Sequence, residues 1–64
     1  MSVSENINNY LADKGISKTH VANRSGIPRS RFTLLTTCKS KMLLSEYLAI
    51  CKALDVKVTT FIDN

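Results

Sequence analysis

An all-α fold of five short helices is predicted for this chain by three observations. Apolar residues recur at helical spacing along its whole length. Two glycines and one proline divide it into short pieces, as helix stops and starts do. The connections between pieces are only a few residues long, as expected between packed helices. The chain has 64 residues, room for one domain over residues 1–64. A chain this short buries little surface, so its core draws on nearly every apolar residue or on a partner subunit.

Each element follows from its residues. Val3, Ile7, Tyr10 and Leu11 recur at i, i+4, i+7 and i+8 and make one stripe. Ser2 with Glu5 three residues on has the form of a capping box, and Gly15 stops this first helix in the left-handed conformation. Ser17 caps a second helix running through Ser25, with Val21 and Ala22 inward, and Gly26 ends it. Pro28 suits the first turn of a third helix, where its missing N–H would have had no partner. That helix runs to about Thr37, with Phe32 and Leu35 inward. The "CKSKML" segment, residues 38–43, is a loop. A fourth helix runs from about Leu44 to Leu54 and buries Leu44, Leu48, Cys51 and Leu54. The last stretch, "VKVTTFI", is read as a short final helical turn holding Val58, Phe61 and Ile62; its β-branched residues keep a strand as the alternative.

Charge is distributed unevenly. The net charge is +4, and between Lys14 and Ser45 there are seven basic residues (Lys14, Lys18, Arg24, Arg29, Arg31, Lys39, Lys41) and no acid. A solvated helical surface normally mixes both signs, so an acid-free middle is the footprint of a polyanion binder. Other classes find little support. Two cysteines, Cys38 and Cys51, and one histidine, His20, make no zinc spacing, and no cofactor motif is present. His20 lacks a carboxylate nearby in sequence and reads as an exposed helical residue. Cys51 reads as a small buried hydrophobe and Cys38 as an exposed thiol. No nucleophile–base pair or phosphate-cradling glycine loop points to an enzyme. The start, "MSVSENINNY", has neither the basic residues nor the apolar run of a signal peptide. No segment is long and apolar enough to span a bilayer. The chain is therefore expected to be a soluble cytoplasmic protein with reduced thiols, without a membrane partner.

The stretch "VANRSGIPRSRF", residues 21–32, carries the functional signal. Ala22 lies four residues before Gly26, and Phe32 and Leu35 follow with helical spacing. A small side chain lets two helices approach closely, and a glycine permits the positive backbone angle of a tight turn. This is helix-turn-helix geometry, with the second of the two helices free on one side.

At these residues the chain resembles the small helix-turn-helix transcriptional regulators related to phage repressors and Cro proteins (XRE-like). The resemblance runs from "ENINNYLADKGISKTHVANRSGIPRSRF" to "YLAICKALDVKVTTFI" and is strongest in "GIS", "SGIPRS" and "ICKALDV". It implies a five-helix, lambda-repressor-like domain whose helices 2 and 3 form the helix-turn-helix. There are departures. Lys18 stands where glutamine is common, Cys38 where a glycine usually follows helix 3, and Met42-Leu43 where Pro-Ser usually leads into helix 4. Asn8 and Thr36 occupy the places of a frequent arginine–glutamate pair.

The resemblance implies that the exposed residues at the start of helix 3 reach base edges: Arg29 and Ser30, then Thr33 and Leu34, with Pro28 placed to touch a thymine methyl. Arg29 is the strongest reader, because a guanidinium fork matches the O6 and N7 acceptors of guanine. Leu34 either meets a thymine methyl or belongs to the core. Phosphate contacts need charge and donors. Lys18 and Thr19 open helix 2, whose N-terminal amides favour an anion, and Arg31, Thr37, Lys39 and Lys41 flank helix 3. The expected partner is a double-stranded DNA operator, bound by a homodimer through two half-sites about 34 Å apart. Met42, Leu43, Tyr47, Val58 and Ile62 exceed what one small core needs and are the expected dimer surface, the alternative being that they cover the back of the same core. The alternative function is a protein-interaction module, antirepressor or antitoxin-like, with a regulatory protein as partner.

Overall fold

The computed structural model describes residues 2–62. Among these, four helices form: α1 (Val3–Lys14), α2 (Lys18–Ser25), α3 (Arg29–Thr36) and α4 (Leu44–Leu54), and no strand. None is long and apolar enough to cross a membrane.

The helix starts differ. Ser2 and Glu5 make the expected capping box of α1: Ser2 Oγ accepts from the Glu5 amide at 3.1 Å, and Glu5 Oε1 accepts from the Ser2 amide at 3.1 Å. Ser17 Oγ accepts from the His20 amide at the start of α2. Pro28 stands just outside α3 with no capping side chain. Leu43 precedes α4, and the Glu46 carboxylate reaches back to accept its N–H at 2.9 Å.

The helix ends are alike. Each turn out of a helix passes through a residue of positive φ: Gly15 (65°), Gly26 (75°) and Asp55 (56°) directly after α1, α2 and α4, and Cys38 (61°) one residue further on, after Thr37, at the end of α3. The next N–H then reaches a carbonyl five residues back: Ile16 to Leu11, Ile27 to Ala22, Lys39 to Leu34 and Val56 to Cys51, at 2.9–3.1 Å. In three of these four turns the donor is a hydrophobe that packs on or in the core. The exception is Lys39, an exposed cation. Cys38 and Asp55 thus do without glycine what Gly15 and Gly26 do with it.

One core joins all four helices. Ile7 and Leu11 of α1, Val21 and Ala22 of α2, Phe32 and Leu35 of α3, and Ile50 and Cys51 of α4 are buried together. The inward faces expected for the first three helices are the ones observed. In α4 the phase differs. Tyr47, Ile50 and Cys51 are buried, whereas Leu44 is 72% exposed and Leu48 also faces solvent. Apolar residues cover more of this helix than one face can bury, so spacing alone admits two phases. The C-terminal segment selects between them: the Tyr47 hydroxyl donates to the Val58 carbonyl, and Phe61 stands edge-on to both Tyr47 and Tyr10.

The expected fifth helix is instead a hydrogen-bonded turn at residues 58–61. Its β-branched residues, Val58, Thr59 and Thr60, disfavour helix. Side chains from the helices also claim its carbonyls: Tyr47 takes that of Val58, and Asn6 Nδ2 donates to that of Phe61 at 2.9 Å. Phe61 is buried, while Val58 and Ile62 point outward.

Candidate nucleic-acid interface

Helix α3 divides cleanly into two faces. Phe32, Leu35 and Thr36 are buried, and Arg29, Ser30, Thr33 and Leu34 are exposed, with Pro28 and Thr37 exposed at the two ends. The phase follows from Phe32 and Leu35 inserting between the helices, with α1 and α2 as the neighbours of α3. Leu34 is 42% exposed, so it does not belong to the core. The Thr33 hydroxyl donates to the Arg29 carbonyl at 3.1 Å, and its oxygen keeps lone pairs for an outside donor. The Thr37 hydroxyl likewise donates back, to Thr33 at 2.7 Å.

The flanks are cationic. Lys18 is exposed and Thr19 half-buried in the first turn of α2, where free amides and the helix dipole favour an anion. Lys39 and Lys41 are exposed in the connection between α3 and α4. Lys39 holds the position where the other three helix ends place a hydrophobe. Lys14 lies 5.9 Å from the centre of the Tyr10 ring, covering it as a cation.

Arg31, expected to be a phosphate contact, has protein partners. Its Nε donates to Glu46 Oε2 at 2.9 Å and its Nη2 to Glu46 Oε1 at 3.1 Å, a two-pronged ion pair. Nη1 donates to Ser40 Oγ at 2.6 Å, and Nη2 also donates to the Lys41 carbonyl at 3.0 Å. The Arg31 bond and then the Leu43 amide hold the Glu46 carboxyl below its ordinary value of 4.5, and Glu46 in turn raises the Arg31 guanidinium. Glu46 and Ser40 are the participants that sequence reading missed. The available signal was positional: Glu46 is the first acid after the basic segment and stands three residues after the start of α4's cap. The pairing also neutralises the carboxylate that borders the cationic surface.

The residues expected at a dimer surface separate into two groups. Leu43, Val58 and Ile62 are exposed, while Met42 is half-buried against the core. Tyr47 is a correction: only 8% exposed, it is a core residue whose hydroxyl is taken by Val58. An apolar groove of about 320 Å³ is lined by Val3, Met42, Leu43, Leu44, Tyr47 and Ile62. Leu44 joins this surface because the α4 phase turns it outward, and Val3 of α1 also lines it. The two cysteines are free, Cys51 buried and Cys38 exposed.

In a comparison with known families, the model of the Cro/C1-type HTH DNA-binding domain matches residues 6–63. No curated protein and no solved structure matches the chain.

Proposed function

The chain belongs to the family of Cro/C1-type helix-turn-helix DNA-binding domains, and from that premise we propose that it is a sequence-specific transcriptional regulator of the repressor type. It binds an operator by laying the outer face of α3 in the major groove. The observation that carries this reading is the division of α3: every side chain needed for the core lies on one side, and Arg29, Ser30, Thr33 and Leu34 stand free on the other. Arg29 reads guanine through a forked pair, a contact that contributes about 1–3 kcal/mol of discrimination. Pro28 and Leu34 offer apolar surface to thymine methyls, and Ser30 and Thr33 offer short hydroxyls. Lys18, Thr19, Thr37, Lys39 and Lys41 hold the phosphates on either side.

The operating unit is a homodimer. One copy measures 29 Å in its longest dimension, less than the roughly 34 Å that separates successive major-groove openings on one side of a duplex. A second copy supplies the second half-site, and the apolar surface around Leu43, Leu44 and Ile62 is where the copies meet. Occupying the operator then blocks or recruits polymerase.

Selection of bound sequences from a random duplex library tests this. A palindromic consensus is the expected result. Recovery of sequences no different from the starting pool would refute sequence-specific binding, and an unpaired half-site would refute the dimer.

A further inference from the structure

We infer that Arg31 and Glu46 are positioning residues for DNA binding, a role that rests on the reading above. Their ion pair fixes the connection between α3 and α4 and so places Lys39 and Lys41 beside the groove-facing helix. The charge of Arg31 alone suggests a direct phosphate contact; its surroundings assign it elsewhere. A guanidinium has five N–H donors, and four of them here end on Glu46, Ser40 and the Lys41 carbonyl. Those partners lie on α4 and on the connection itself, so one planar group ties three segments together.

Beyond Met42 packing on the core and a Cys38 Sγ–Ser2 Oγ contact of 3.6 Å, the connection's own residues supply little to hold it. It leaves α3 through Cys38, a side-chain-bearing residue in the left-handed region, where such a residue is disfavoured by about 1–2 kcal/mol. At the following position the other helix ends are held by a hydrophobe, but here Lys39 points to solvent and makes no such contact. At its far end α4 starts from Leu43, which has no capping side chain. Glu46 Oε1 fills that gap by accepting the Leu43 amide while also accepting from Arg31. The carboxylate therefore starts the helix and anchors the loop at once. Between those two ends sit Lys39 and Lys41.

The test exploits a difference in sign. Removing an acid from a polyanion binder strengthens binding if charge alone matters. Under the positioning role, Glu46→Ala weakens it. Wild type, Glu46→Ala, Arg31→Ala, Arg31→Lys and the double alanine variant would be titrated against a fluorescent duplex carrying the selected site, across a salt series. Circular dichroism would confirm that each is folded at the assay temperature. Glu46→Ala is expected to lose about fivefold or more in affinity, and the double variant to lose no more than Arg31→Ala alone, as coupled residues do. Arg31→Lys keeps the charge but not the fork, so it is expected to bind as poorly as Arg31→Ala. Unchanged or tighter binding by Glu46→Ala, additive losses, or full rescue by lysine would each overturn the inference. Should the alanine variant unfold, Glu46→Gln decides by the same sign. A wild-type chain that binds no duplex would instead sink the DNA-binding reading itself, an outcome visible in the same titration.

Discussion

Arg29 opens α3 and Lys39 follows its end, yet they are expected to fail differently when removed. Arg29→Ala should bring specific and random duplexes closer in affinity by about 1–3 kcal/mol, the worth of a forked guanine contact. Lys39→Ala should weaken every duplex alike and lower the slope of log affinity against log salt by about 0.9, the share of one phosphate. Titration of both variants against matched and scrambled duplexes distinguishes the roles, and the reverse pattern would exchange the assignments. At this scale the sequence was informative where a residue's role depends on its own helix. Arg29, Ser30 and Thr33 are outward for the same reason that Phe32 and Leu35 are inward. It was uninformative where the role depends on a partner distant in the chain. Nothing in the local pattern around Arg31 indicates a carboxylate fifteen residues away. Likewise Tyr47 looked surplus because its partners, Val58 and Phe61, lie in a segment without regular structure.

Helices in this chain are decided more by their ends than by their interiors. The starts and stops of α1 and α2 were legible because Ser2, Ser17, Gly15 and Gly26 are the residue types that caps require. The end of α3 and the start of α4 also fall where expected, at Thr36 and Leu44, although Cys38 and Leu43 are not such residues. The phase of α4 was legible only in part from spacing: Cys51 is buried and Leu54 packs on the core as expected, while Leu44 and Leu48 face solvent, because the apolar residues of this helix satisfy two faces. The Glu46 cap carries a pH signature. Folding holds its carboxyl below the ordinary 4.5, mainly through Arg31 and then the Leu43 amide. Its contribution is therefore complete above about pH 4.5 and is lost as pH falls through the lower folded-state value. Thermal unfolding followed between neutral and acidic pH should show Glu46→Gln less stable than wild type at neutral pH and the difference shrinking on acidification. A constant difference would mean that the carboxylate charge is not what stabilises the start of α4.

Across the whole molecule the surfaces have opposite characters: a cationic side around α3 and an apolar one around Leu43, Leu44 and Ile62. The second is expected to pair copies, so Leu44→Glu should convert a sedimenting dimer into a monomer and reduce affinity for a two-half-site duplex far more than for a single half-site. Equal sedimentation of the two proteins would place the dimer contact elsewhere. The all-helical architecture and the place of the helix-turn-helix were readable in advance because they depend on short-range patterns. A full fifth helix does not form among the described residues: the last segment is a single turn, and its Val58 and Phe61 carbonyls accept from Tyr47 and Asn6. Finally, the left-handed residue after α3 leaves untapped stability. Cys38 bears a β-carbon in a backbone shape that suits glycine, and it lies outside the core. Cys38→Gly should raise the melting temperature by about 4–8 °C if it recovers about 1 kcal/mol in a chain of this size. The same exchange deletes the exposed thiol, so the hardier variant should also be deaf to thiol reagents while still engaging its duplex.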